Sequence, residues 1–87
     1  MKEATKVGRW NILFDTEKMG TTVKFYDTEH VTKDWPHGQF TGGSYYVTTL
    51  LEDRKGLEEG GLNIHGGVDA WSATNEEMVE VFKLIDD

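Results

Sequence analysis

Three histidines, His30, His37 and His65, are the only imidazoles in this chain of 87 residues. Histidine is the side chain best suited to general-base or metal chemistry near neutral pH. Asp27, Glu29, His30, Asp34 and His37 share one short stretch, so a metal site can be imagined there. Their spacing matches no established ligand pattern, and no His-Glu-x-x-His is present. An acidic protein places carboxylates near histidines by composition alone. A solvated polar loop is therefore the preferred reading, and no metal or cofactor is expected.

Nucleophiles are scarce. Ser44 and Ser72 are the only serines, and neither lies in a Gly-x-Ser-x-Gly turn. A set of Ser44, His65 and Asp69 could be assembled in space, but nothing in the spacing supports it. There are no cysteines, which rules out disulfides, thiolate metal sites and cysteine nucleophiles. Gly38 and Gly43 have the four-residue gap of a phosphate loop, but Ser44 stands where its lysine belongs. Gly42-Gly43-Ser44 before a helix would resemble an anion-binding terminus. Gly60-Gly61 and Gly66-Gly67 read as turns at both ends of a short strand over 61–65. The chain is expected not to be an enzyme.

The carboxylates carry a stronger signal through their distribution. Residues 1–47 hold six acids and six bases, whereas residues 48–87 hold ten acids and three bases, so the whole net charge of -7 lies in the second half. Such a field repels nucleic acid and anionic membranes and attracts basic surfaces. Glu76, Glu77 and Glu80 avoid the apolar positions of the last helix and are expected to project from it. Glu52 and Asp53 would project from a preceding helix, and Glu58 and Glu59 from the connection between the two. A second group, Trp35-Pro36-His37 with Phe40, is the aromatic content of the longest irregular stretch. It is either a lid on the core or an apolar anchor for a partner, since tryptophan is frequent at binding hot spots.

These residues need elements to position them. Residues 1–8 are expected to be a mobile start. Arg9 to Phe14 reads as a strand with Trp10, Ile12 and Phe14 on one face. Thr21 to Tyr26 reads as a second, paired with the first in an antiparallel hairpin. Asp27 to Gly43 is a long irregular connection. Over Ser44 to Lys55 two readings compete. The Tyr-Tyr-Val-Thr-Thr run favours a strand, whereas Ser44 as cap and Gly56 as stop favour a helix; helix is preferred. Thr74 and Glu77 make a Thr-x-x-Glu capping box, and Met78, Val81, Phe82 and Ile85 form the apolar stripe of a helix over about 75–85. Asp86 and Asp87 oppose the helix dipole there and are expected to be frayed or held by a basic partner. The sum is a single α+β domain over 1–87, a small three-stranded, mainly antiparallel sheet with one or two helices on one face.

With 37% hydrophobic and 29% charged residues the composition is that of a folded domain. No apolar run is long enough for a membrane span or signal peptide, and a cytoplasmic location is expected. In size, acidity and lack of cysteine the chain resembles in type the small phage-encoded inhibitors of the anti-CRISPR and anti-restriction kind, a likeness of composition rather than motif. If the chain is a viral protein of that phage-encoded kind, the cytoplasm in question is the host's. The leading expectation is a stoichiometric inhibitor acting as a nucleic-acid mimic. It would fill a basic groove of a nucleic-acid-binding protein without binding nucleic acid itself. The partner-binding residues are expected to be Trp35, Phe40, Glu52, Asp53, Glu58, Glu59, Glu76, Glu77 and Glu80. The alternatives are an assembly module of a virion or multiprotein complex, and a small metal-dependent hydrolase.

Overall fold

The computed structural model describes residues 4–30, 33, 36, 38–64 and 71–87. The chain runs β1 (Thr5–Val7), β2 (Trp10–Glu17), β3 (Gly20–Asp27), β4 (Gln39–Tyr46), α1 (Val47–Glu52), α2 (Arg54–Gly60), β5 (Leu62–Asn63), β6 (Ser72–Ala73) and α3 (Asn75–Asp86). β1 to β4 form an antiparallel sheet in chain order, and β5 pairs with β6 in a small second sheet.

The architecture is α+β, as the sequence indicates, but the main sheet has four strands rather than three. Thr5–Val7, expected within a mobile start, pairs with Trp10–Ile12 across a two-residue turn. At the other edge, the stretch from Ser44 obeys both of its competing signals in turn. Ser44 to Tyr46 completes β4 opposite Thr22 to Lys24, and the helix begins only at Val47. The expected cap Ser44 therefore lies in a strand, while Tyr46 precedes the helix with no side-chain cap. Gly56 lies inside α2 rather than beyond its end. The expected strand over 61–65 contracts to Leu62–Asn63 and belongs to the second sheet.

The register of β4 against β3 shifts between Lys24 and Tyr26. Thr41, Gly42 and Gly43 bulge there opposite Phe25. The Thr41 hydroxyl donates to the Phe25 carbonyl at 3.0 Å and accepts from the Gly43 N–H at 3.0 Å. Gly42 takes φ +85°, which suits glycine at a bulge. The strand bends, which discourages further pairing along this edge.

Side-chain alternation assigns the two faces. Trp10, Ile12, Val23 and Phe25 are fully buried on one face and pack with Leu50, Met78, Val81 and Phe82 from the helices. Trp10 meets Phe25 edge-on with ring centroids 6.2 Å apart. The opposite face carries Leu13, Tyr26 and Phe40, all half-buried. Lys24 sits among them, paired with Asp15 at 2.8 Å and Glu17 at 3.8 Å.

Candidate partner-binding surface

The last helix begins where its local sequence requires. The Thr74 hydroxyl accepts from the Glu77 N–H at 3.1 Å, and the Glu77 carboxylate accepts from the Thr74 N–H at 2.8 Å. Both halves of the capping box are present, satisfying donors that a helix start leaves orphaned. Met78, Val81 and Phe82 are buried and Ile85 is half-buried, so the stripe faces the sheet. Glu76, Glu80 and Lys83 recur at i, i+4 and i+7 on the opposite side and are exposed.

α2 lies antiparallel to α3. At one end Gly61 closes α2 with φ +81° and ψ -174°. An added Cβ there would sit 2.5 Å from the Ala73 carbonyl oxygen, so only glycine permits this approach. At the other end Arg54 reaches Asp86 through two hydrogen bonds of 3.0 and 2.8 Å and Glu58 at 3.3 Å. It also stacks over the Phe82 ring at 5.0 Å. The guanidinium holds the Asp86 carboxyl below its ordinary value. Asp86 thus belongs to the helix rather than to a frayed end, and the chain's own arginine offsets its position at the helix C-terminus.

The residues of α1 to α3 with their flanks, 47–60 and 74–87, contain nine acids and three bases. Arg54 is spent on Asp86 and Glu58, and Lys83 contacts Glu80 at 3.1 Å. Glu52, Asp53, Glu59 and Glu76 are exposed, and no ion pair engages them among the described residues. The helix layer therefore holds six more acids than bases, and its third base, Lys55, is exposed near Asp53 and makes no ion pair among the described residues. Glu77 stands apart from it. Besides capping α3, it accepts from Trp10 Nε1 at 3.1 Å, which ties the helix to the sheet.

A second cluster surrounds Asp27. Its carboxylate is fully buried and accepts five hydrogen bonds. Oδ1 takes Arg9 Nε at 3.1 Å and the Glu29 N–H at 3.0 Å; Oδ2 takes Arg9 Nη2 at 2.5 Å, His30 Nδ1 at 2.6 Å and Trp71 Nε1 at 2.9 Å. Burial pushes this carboxyl's pKa up. The Arg9 bonds, the Glu29 N–H, Trp71 and His30 together outweigh it and hold the group well below the ordinary carboxylate range. The hydroxyl and N–H of Thr28 both donate to the Arg9 carbonyl, locking the same corner. A carboxylate on His30 Nδ1 is the orienting half of an acid–base pair, but among the described residues no nucleophile bonds to His30. The Ser72 hydroxyl instead donates to the Leu62 carbonyl and Asn63 Oδ1, and Ser44 lies in β4. The described residues bring no three metal-ligating side chains together.

The expected partner-binding residues divide accordingly. Glu52, Asp53, Glu58, Glu59, Glu76 and Glu80 share the helix layer, with Glu58 and Glu80 partly offset by cations. Glu77 is committed to the fold. Phe40 pairs in register with Tyr26, their rings 5.1 Å apart, on the sheet face opposite the helices, so it does not adjoin the carboxylates. Trp35, His37, His65, Asp34 and Asp69 lie outside the described residues. Sequence reasoning overlooked the joint role of Arg9, Asp27 and Trp71. One signal was available, because the alternation of Val23 and Phe25 continues to Asp27 and turns it inward.

No family model matches the chain, and neither does any curated protein or solved structure. Among the described residues no helix is long and apolar enough to cross a membrane.

Proposed function

We propose that this protein is a non-enzymatic binding protein, a stoichiometric inhibitor whose helix layer imitates nucleic-acid phosphate and occupies the basic groove of a nucleic-acid-binding machine. The observation that carries this reading is the set Glu52, Asp53, Glu59 and Glu76, exposed on one helical layer with no cationic partner among the described residues. A lysine- and arginine-lined groove supplies the missing counter-charge. Carboxylates at the rim of such a contact mainly accelerate encounter, and the effect weakens as salt screens it. The mode of action is that of anti-CRISPR and anti-restriction inhibitors, set in the cytoplasm of a host cell.

The test is capture of nucleic-acid-binding proteins from a host lysate on immobilised protein, with duplex DNA as competitor. The captured protein is expected to be released by the duplex and by rising salt, and to bind the double variant Glu76→Lys/Glu80→Lys at least about tenfold more weakly. Glu77 is left intact in this variant, because its reversal would disturb the cap. Capture that resists both salt and duplex, and is indifferent to the variant, overturns the proposal.

The sheet face opposite the helices favours a second reading, an assembly module that uses Leu13, Tyr26 and Phe40 as its contact. Half-buried aromatic pairs on a sheet face that carries no helix among the described residues are suited to docking on another protein. Self-association seen by light scattering, and abolished by Phe40→Ser, would favour it over the inhibitor.

A further inference from the structure

The chain has no cysteine and three methionines, so oxidation at its sulfur must fall on thioethers. Met1 lies outside the described residues. The other two methionines occupy opposite extremes of exposure. Met78 is fully buried, in the core cluster that also holds Trp10, Val81 and Phe82. Met19 is 83% exposed, whereas the other exposed large apolar side chains, Tyr46 and Leu51, reach 37% and 42%.

The position of Met19 explains that exposure. Glu17 pairs with Gly20 at the end of the β2–β3 hairpin, which leaves Lys18 and Met19 as the two connecting residues. The left-handed conformation falls on Gly20, with φ +133°, and neither Lys18 nor Met19 takes a positive φ. Turn geometry therefore demands no particular side chain at position 19. Nor does packing, for a side chain so exposed contributes little buried area. The hairpin tip thus carries a thioether that folding does not require.

We infer that Met19 is a reversible oxidation site that takes one oxygen atom from hydrogen peroxide. A sulfur lone pair attacks one peroxide oxygen. The S–O bond forms as the O–O bond breaks, and the second oxygen leaves as water. Sulfur loses two electrons and the peroxide gains them. The product is a polar sulfoxide, which a thiol-dependent methionine sulfoxide reductase returns to the thioether. In that return two thiols become a disulfide and the oxygen leaves as water. At Met19 the sulfoxide oxygen is solvated, so the tip changes from apolar to polar while the fold stays intact. At Met78 it would lie among apolar side chains without a donor, at a cost to the core. Peroxide reaches Met78 only when the core opens, so the fold protects one sulfur and offers the other.

The test exposes the whole protein to hydrogen peroxide in native buffer and stops the reaction at intervals. Proteolysis and mass spectrometry then follow the gain of one oxygen at each methionine. Met19 is expected to oxidise at least about tenfold faster than Met78, and in denaturant the two rates are expected to converge. Protein oxidised at Met19 alone is expected to keep its Tm within about 2 °C of the untreated value. A methionine sulfoxide reductase with a dithiol is expected to restore the original mass. Met19→Leu is expected to remove the fast event and leave slow oxidation of Met78 unchanged. Equal rates at Met19 and Met78 in native buffer overturn the assignment. So does a fall in Tm that accompanies oxidation of Met19 alone. Failure of the reductase to restore the mass overturns the reversibility.

Discussion

Asp27 is fully buried and accepts hydrogen bonds from Arg9, Glu29, His30 and Trp71, whereas Glu52, Asp53, Glu59 and Glu76 face water with no ion-pair partner among the described residues. Asp27 joins the β1–β2 turn, the end of β3 and the segment entering β6, so its charge is spent on holding distant parts of the chain together. Those four helix-layer carboxylates, unlike Asp86 and Glu58 on Arg54, make no ion pair among the described residues and keep their field for whatever approaches. Glu77 lies between these extremes. It sits on the acidic helix but accepts from Trp10 and Thr74, so it works as a structural group. Net charge by itself does not separate these uses; the number of donors already pointed at each carboxylate does.

Substitutions graded by that donor count put the contrast at risk. The largest effect is expected from Asp27→Asn, which leaves the Arg9 guanidinium with only the exposed Glu29, 3.5 Å away, as counter-charge. A loss of about 3 kcal/mol in unfolding free energy is expected, at the lower end for a broken buried pair because Arg9 still reaches solvent; denaturant titration measures it. The same group makes stability depend on acid. Its pKa is depressed by folding, so its contribution is complete above the unfolded value of about 4. It is lost as the pH falls from there towards the folded value. Wild-type protein should therefore lose stability steadily below about pH 4. The Asn variant should show a flatter profile over that range, and parallel profiles would remove Asp27 from its assigned role.

Glu77→Ala comes next. It removes the capping-box acceptor of the Thr74 N–H and leaves the indole N–H of buried Trp10 without its acceptor, so a cost of about 2 kcal/mol is expected. A Glu77→Ala protein as stable as wild type would return this residue to the free acidic surface. The smallest effect on folding is expected from Glu76→Lys with Glu80→Lys, which should move stability by less than about 0.5 kcal/mol while producing the loss of partner affinity described above. A large loss of stability from that pair would erase the distinction between structural and available charge.

How far the sequence reveals each region follows from the distance between its cooperating residues. The capping box spans Thr74 to Glu77 and the apolar stripe recurs within a dozen residues, so α3 was legible. The β2–β3 hairpin was equally so, since Trp10, Ile12, Val23 and Phe25 alternate on either side of a short connection. Ser44 to Lys55 was not, because strand propensity and helix stop signals overlap there; pairing with β3 decides where one ends and the other begins. Thr5–Val7 carries too little apolar content to announce a strand, and only the neighbouring β2 edge makes it one.

What the sequence determined unaided was the hairpin, the final helix and the lopsided distribution of charge, each written in neighbouring residues or in a simple sum. Tertiary structure decided which carboxylates remain available. Arg54 meets Asp86 across 32 positions, Trp10 meets Glu77 across 67, and Trp71 meets Asp27 across 44. A carboxylate's role depends on the donors that reach it in space, and separations of this size leave no local pattern in the chain.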